Sequence, residues 1–197
     1  MYLHDFDRSG TLEQFLTFYK NGVSYLLAGR DDLFSVLPYM RARYVSYADF
    51  GASRLEDIFT DAELQEAEIR EATVFASSLA LNQGDGTFSL EPLPTEAQFA
   101  PIYAVLAEDF DGDGNEDLLA AGNFYGVRPL RGRYDASYGL LMRGDGEGRF
   151  QSVTMEASGL TIEGQVRDMR LVTRADGQRL IVVARNDDSV QILLHKP

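Results

Sequence analysis

The sequence predicts a mainly β fold: β-propeller blades of four-stranded antiparallel sheets, about three and incomplete, with a small helical insertion over 30–72. Two observations predict it. Outside 30–72 the chain reads as short apolar segments broken by Gly and Asp turns, the pattern of strands and hairpins. These segments also repeat. "LALNQGDGTFSLEPL" (79–93) matches "GLLMRGDGEGRFQSV" (139–153), each an apolar strand, a Gly-Asp-Gly turn and a Phe-led strand. "DFDGDGNEDLLAAG" lies between these copies, and "DFDRSGTLEQFLTFY" (5–19) is its earlier relative. "RDMRLVTRADGQRLIVVAR" (167–185) keeps the strand–turn–strand outline and loses the acids.

In chain order, strands are expected at 1–5 and 13–20. The stretch 30–72 then reads as short helices: Leu33, Phe34 and Leu37 have helical spacing, as do Leu55, Ile58 and Phe59. Thr60 or Asp61 caps a helix continuing through Glu63–Ala67. Strands at 74–82 and 87–93 complete a first four-stranded unit with 1–5 and 13–20. A second unit runs over 102–108, 116–124, 137–143 and 149–155. Segments 165–173, 179–185 and 189–195 supply three strands of another.

Composition excludes several function classes. The 197 residues, 45% apolar, suffice for one ordinary domain with a real core. Acids outnumber bases 31 to 18, a net charge of −13, so phosphate backbones and anionic membrane surfaces are repelled. There is no cysteine, hence no disulfide and no thiol nucleophile. His4 and His195 alone do not make a structural zinc site. No apolar run approaches the ~20 residues of a membrane span, and no basic-then-apolar segment opens the chain.

The densest chemistry lies in "EDFDGDGNEDLLAAGNFYGV" (108–127), where Asp109, Asp111, Asp113 and Asp117 stand at alternate positions. A hard divalent cation relieves their repulsion. Calcium takes ~6–8 oxygen ligands in loose geometry, whereas magnesium demands a strict octahedron, so Ca2+ is the better match. Alternation lets a curled loop aim positions 1, 3 and 5 inward; Gly112 and Gly114 permit the tight backbone. Asn115 at position 7 offers its main-chain oxygen, and Asp117 at position 9 closes the cage. An EF-hand needs Glu at position 12, where this chain has Ala120 in an apolar run. In the earlier copy, Asp5, Asp7, Ser9, Thr11 and Glu13 fill positions 1, 3, 5, 7 and 9 and form a weaker second site. The acids are mostly gone at 168–176, and no metal is expected there.

The acid at position 9 leading directly into "LLAAG" resembles the calcium-binding hairpin loop of FG-GAP/VCBS repeats, as in integrin α-subunit propellers. "NQGDGTF" at 82–88, followed some twenty residues later by "DFDGDGNEDL", is similar to the wider repeat. The resemblance covers the strand portions of the chain, with 30–72 as an insertion. It implies a non-enzymatic, calcium-binding module for binding or scaffolding, placed extracellularly, on the cell surface or in the periplasm. An accessory propeller region of an extracellular or periplasmic hydrolase is the alternative it leaves.

Other motifs are weaker. "DFDRSGTL" has the D-x-D-x-T/V outline of haloacid-dehalogenase-like phosphatases, but that family needs a parallel α/β fold and later motifs that this chain lacks. A glycosidase carboxylate pair is compatible with so many acids, yet nothing singles one out. No nucleophile elbow or phosphate-cradling loop occurs, so no enzyme activity is expected. Arg143-Gly144-Asp145 aligns with Gln83-Gly84-Asp85 and reads as a turn rather than an integrin ligand. His195, alternating with Leu193 and Leu194, reads as a strand-edge residue. "GNFYGVRPLRGRYDASYG" (122–139) places Tyr125, Arg128, Arg133 and Tyr134 together as contact residues for a protein or glycan ligand, with packing between strands as the default. Three incomplete units do not close a ring of ~4–8 blades, so the expected partners are the remainder of a larger propeller or a second copy.

Overall fold

The computed structural model describes residues 1–127 and 132–195. The chain is mainly β, and its described strands form several antiparallel sheets without a closed barrel. It divides into two compact units, Met1–Val74 and Phe75–Pro197.

In the first unit, β1 (Tyr2–His4) is the central strand of a three-stranded sheet, between β2 (Glu13–Phe15) and β5 (Glu68–Ile69). β3 (Thr17–Lys20) and β4 (Val23–Leu26) form a separate hairpin. The helical stretch follows as α1 (Arg30–Val36), a 3-10 turn at Pro38–Ala42, α2 (Tyr47–Ala52), α3 (Leu55–Ile58) and α4 (Asp61–Glu66). Helices this short do not persist alone. Caps and burial hold them. Thr60 Oγ1 accepts the Glu63 N–H while the Glu63 carboxylate accepts the Thr60 N–H, a reciprocal capping box. Leu33, Phe34, Leu37, Leu55, Ile58 and Phe59, the residues the helical spacing selected, are all buried. They share a core with Phe6 and Phe15, whose rings lie 4.4 Å and 5.0 Å from that of Phe59.

The second unit is a stack of antiparallel layers. β6 (Ser78–Asn82) and β7 (Phe88–Pro92) form a hairpin. β8 (Ile102–Glu108), β9 (Asp117–Gly122), β10 (Leu140–Gly144) and β11 (Phe150–Val153) form a four-stranded meander in sequence order. β12 (Val166–Thr173), β13 (Arg179–Arg185) and β14 (Gln191–His195) form a three-stranded meander. α5 (Met155–Ser158) joins the two sheets and stops at Gly159 in the left-handed conformation. One face of the four-stranded sheet, with Ala104, Leu119 and Ala121, packs on Val166, Met169, Ile181 and Val183 of the three-stranded sheet. Its other face buries Ala120 and Met142 with Ala97 and Leu93 on the hairpin side.

The first expected four-stranded unit is not formed. β1 pairs with β2 and with β5, whereas β6 and β7 pair only with each other and belong to the other unit. The expected strand 13–20 breaks at Leu16, and 74–82 begins only at Ser78. β5 satisfies the free edge of β1 from inside the stretch expected to be helical, through Tyr2↔Ile69 and Leu3↔Glu68. That pairing spans the helical stretch in sequence, and local patterning carries no record of such a long-range choice.

Candidate metal centre

Both acidic loops are the tips of antiparallel hairpins. In the first, His4 pairs with Glu13 at the last rung of β1–β2; in the second, Glu108 pairs with Asp117 at the last rung of β8–β9. In each, the residue before position 1 is thus cross-strand from position 9, so the ladder brings the closing acid back to the loop's start.

The two loops share a hydrogen-bond scheme built from different residues. The position 2 amide donates to the position 9 carboxylate: Phe6 to Glu13 at 2.7 Å, Phe110 to Asp117 at 3.0 Å. The position 5 amide donates to position 3: Ser9 to Asp7 at 2.9 Å, Asp113 to Asp111 at 3.1 Å. The position 6 amide donates to position 1: Gly10 to Asp5 at 2.8 Å, Gly114 to Asp109 at 3.0 Å. Each loop is left-handed at positions 4 and 6. Arg8 (φ 59°) and Gly10 (φ 88°) correspond to Gly112 (φ 81°) and Gly114 (φ 92°). A side chain at position 4 of the first loop therefore tolerates a backbone that glycine adopts freely.

Carboxylates converge in both. Asp5, Asp7 and Glu13 each offer an oxygen within 4.8 Å of the others, and so do Asp109, Asp111 and Asp117. Position 9 is the deepest: Asp117 is 2% exposed and Glu13 9%. Asp113 accepts the Asn115 N–H at 2.8 Å and stands outside the converging trio. In the first loop Ser9 Oγ and Thr11 Oγ1 lie 2.7 Å apart, and the Thr11 hydroxyl reaches Glu13 at 3.5 Å, so hydroxyls stand where the second loop has Asp113 and Asn115.

The β10–β11 turn is the second wall of the 109–117 loop. Asp117 accepts the Gly144 N–H at 2.9 Å, and Arg143 Nε pairs with Asp111 at 2.5 Å. Gly144 is required by close approach: a Cβ there would lie 2.1 Å from the Glu116 carbonyl oxygen. Of the 143–145 tripeptide, expected to be a turn, Arg143 and Gly144 end β10 and only Asp145 enters the turn, 145–149, which is held from within. The Asp145 carboxyl sits below the usual aspartate range because the Glu147 backbone N–H, and then that of Arg149, donate to it. Its counterpart Asp85 is lowered by the Thr87 hydroxyl and backbone N–H.

Sequence reasoning missed the anchors beneath the loops. Phe6 and Phe110 are buried at position 2, and the shared "DFD" at 5–7 and 109–111 carries that signal. The carbonyl of Phe110 accepts a hydrogen bond from His195 Nε2 at 2.9 Å, and that of Phe6 faces the Tyr39 hydroxyl at a long 3.5 Å. No local pattern announces contacts 85 and 33 residues apart.

The other selected contact residues lie in the segment after β9. The Arg133 guanidinium sits 4.8 Å from the centre of the Tyr125 ring, and Tyr134 exchanges both backbone hydrogen bonds with Phe124. Tyr134 is 45% exposed; Arg128 lies outside the described residues. Buried Asn123 organises the segment by donating to the Ser137 and Gly164 carbonyls and accepting the Ser137 N–H. Comparison with protein-family models, with curated proteins and with solved structures returned no match.

Proposed function

We propose that the chain is a calcium-stabilised, non-enzymatic repeat module whose stacked sheets are β-propeller blades, acting in binding or scaffolding outside the cell. One observation carries the cation reading. The same three backbone-to-carboxylate hydrogen bonds are built twice, on Asp at positions 1 and 3 of both loops and on Glu13 or Asp117 at position 9, each time converging three carboxylates. A solvated turn has no need to gather like charges around one point. A cation makes the gathering favourable, and all-oxygen donors on a flexible tip suit Ca2+ better than Mg2+. The ion would neutralise the trio and pin the hairpin, with no bond made or broken.

The blade reading is supported by the face-to-face layering of hairpin, four-stranded sheet and three-stranded sheet in the second unit. Extracellular placement is supported by the loop chemistry, since partly hydroxyl sites bind weakly and fill where calcium is plentiful. Tyr125, Arg133 and Tyr134 supply the aromatic and guanidinium contacts for a protein or glycan ligand.

Calorimetric titration of the chelator-stripped chain with calcium tests the reading. Two binding events are expected, with Asp111→Ala removing the tighter and Asp7→Ala the weaker. Absence of binding at millimolar calcium would sink it.

A further inference from the structure

The β12–β13–β14 sheet has two apolar faces, and the described residues cover only one. Met169, Ile181 and Val183 lie beneath it in the core. On the opposite face the strand pairings line up Val172, Leu180 and Leu194 in one row and Arg170, Val182 and Ile192 in the next. Ile192 is 60% exposed, and Val172 and Leu194 are 44% exposed. A sheet with one solvated face alternates apolar and polar residues, but β13 reads "RLIVVAR", the unbroken run of a strand covered on both sides.

Charge argues for what covers it. Residues 166–195 carry five arginines against four aspartates, a net of +1; with −13 on the whole chain, the rest carries −14. The exposed face itself holds both signs, Arg170 pairing with Asp168 at 3.2 Å. Two copies of a strongly acidic chain approach here without net repulsion. Another exposed apolar sheet face, with Phe88 and Leu90 on the β6–β7 hairpin, lies in a stretch (75–98) with three acids and no base. Two copies meeting there repel.

We infer that the outer face of the β12–β13–β14 sheet is the contact through which two copies of this chain associate, face to face about a twofold axis. Three strands ~4.8 Å apart and about seven residues long at ~3.4 Å each present roughly 350 Å2 in projection. That falls short of the ~800 Å2 per partner of a standard stable complex, so the dimer is weak and reversible. No residue of either acidic loop lies on this face, so the inference does not rest on the cation reading.

Sedimentation velocity of the full chain over a concentration series, in calcium, tests it. The weight-average mass is expected to rise from the monomer value of 21.9 kDa towards the dimer. The double variant Val172→Thr/Ile192→Thr keeps strand-forming side chains and removes apolar contact, and is expected to raise the dissociation constant about tenfold or more. Arg170→Glu, at a side chain 76% exposed, makes the face acidic and weakens association independently of packing. Leu90→Thr, on the hairpin, is expected to change nothing. A monomer at every concentration overturns the inference. So does wild-type association by the double variant and Arg170→Glu, or equal weakening by Leu90→Thr, which would mean contact between unlike faces.

Discussion

Replacing Asp117 by Asn separates the structural and cation-holding parts of one side chain. Asp117 is 2% exposed, and its two oxygens accept from Phe110 and Gly144, 3.0 and 2.9 Å away. Hydrogen bonds to charged groups contribute about 1.5–3 kcal/mol each, and burial leaves no solvent to replace one. Asn keeps one acceptor and turns an NH2 towards the other amide, so one such bond is lost. At about 2–4 °C per kcal/mol for a chain of this size, the chelator-treated variant should melt roughly 3–12 °C below wild type. Calcium at a hundredfold excess over Kd stabilises a native-only site by ~2.7 kcal/mol, about 5–11 °C. The variant should lose most of that increment as well. Differential scanning calorimetry with chelator and with calcium reads both numbers. If the chelated variant melts with wild type, Asp117 does not hold the two turns together. If it keeps the full calcium increment, Asp117 is not a ligand.

Arg143→Gln removes the cation paired with Asp111 and should tighten calcium binding by up to about fivefold, the scale of an exposed ion pair, in the same calorimetric titration. Gly144→Ala should destabilise by about 1–3 kcal/mol in urea unfolding despite the better intrinsic propensity of alanine, because its Cβ meets the Glu116 carbonyl oxygen. Asp145 has a folded pKa below its ordinary 3.8, so its contribution is complete above that value and lost as pH falls through the lower, folded one. The Asp145→Asn variant should therefore be less stable than wild type at pH 7, and the gap should close only below the ordinary carboxylate range. A gap that stays constant down to the acid transition would refute that assignment.

The second unit was legible because its pairings are between neighbours. Segments expected at 102–108 and 179–185 coincide with β8 and β13, and the two Gly-Asp-Gly turns close the β6–β7 and β10–β11 hairpins. The helical stretch was legible in its apolar spacing and in Thr60, since both signals act within a few residues. β4 was overlooked although Asn21-Gly22, left-handed at both residues, is a two-residue hairpin signature. β5 carries no such signal: two residues pair because β1 offers them an edge. The same division holds at the metal centre. Alternating acids identified both loops, whereas the Arg143, Gly144 and His195 contacts are products of folding that no spacing encodes.

The neck between β1 and β5 bears on the order of folding events. Met1 and Arg70 exchange backbone hydrogen bonds beside it, so the excursion from β2 to β5 closes where it began. Lengthening such an excursion costs little, about 0.6 kcal/mol per doubling. Emptying it is another matter, because Leu33, Phe34, Leu37, Met40, Tyr44, Leu55, Ile58 and Phe59 are most of the core that Phe6 and Phe15 enter. The first loop, though written at 5–13, thus waits for residues near 55–69 before its hairpin has anything to lean on. The second loop leans on β10, its sheet neighbour, and through Phe110 on His195 and the core of the three-stranded sheet, which lie still further along the chain. On refolding from denaturant each loop should therefore mature only as its distant partners arrive, an ordering set by contact distance along the chain rather than by position from the ribosome's exit.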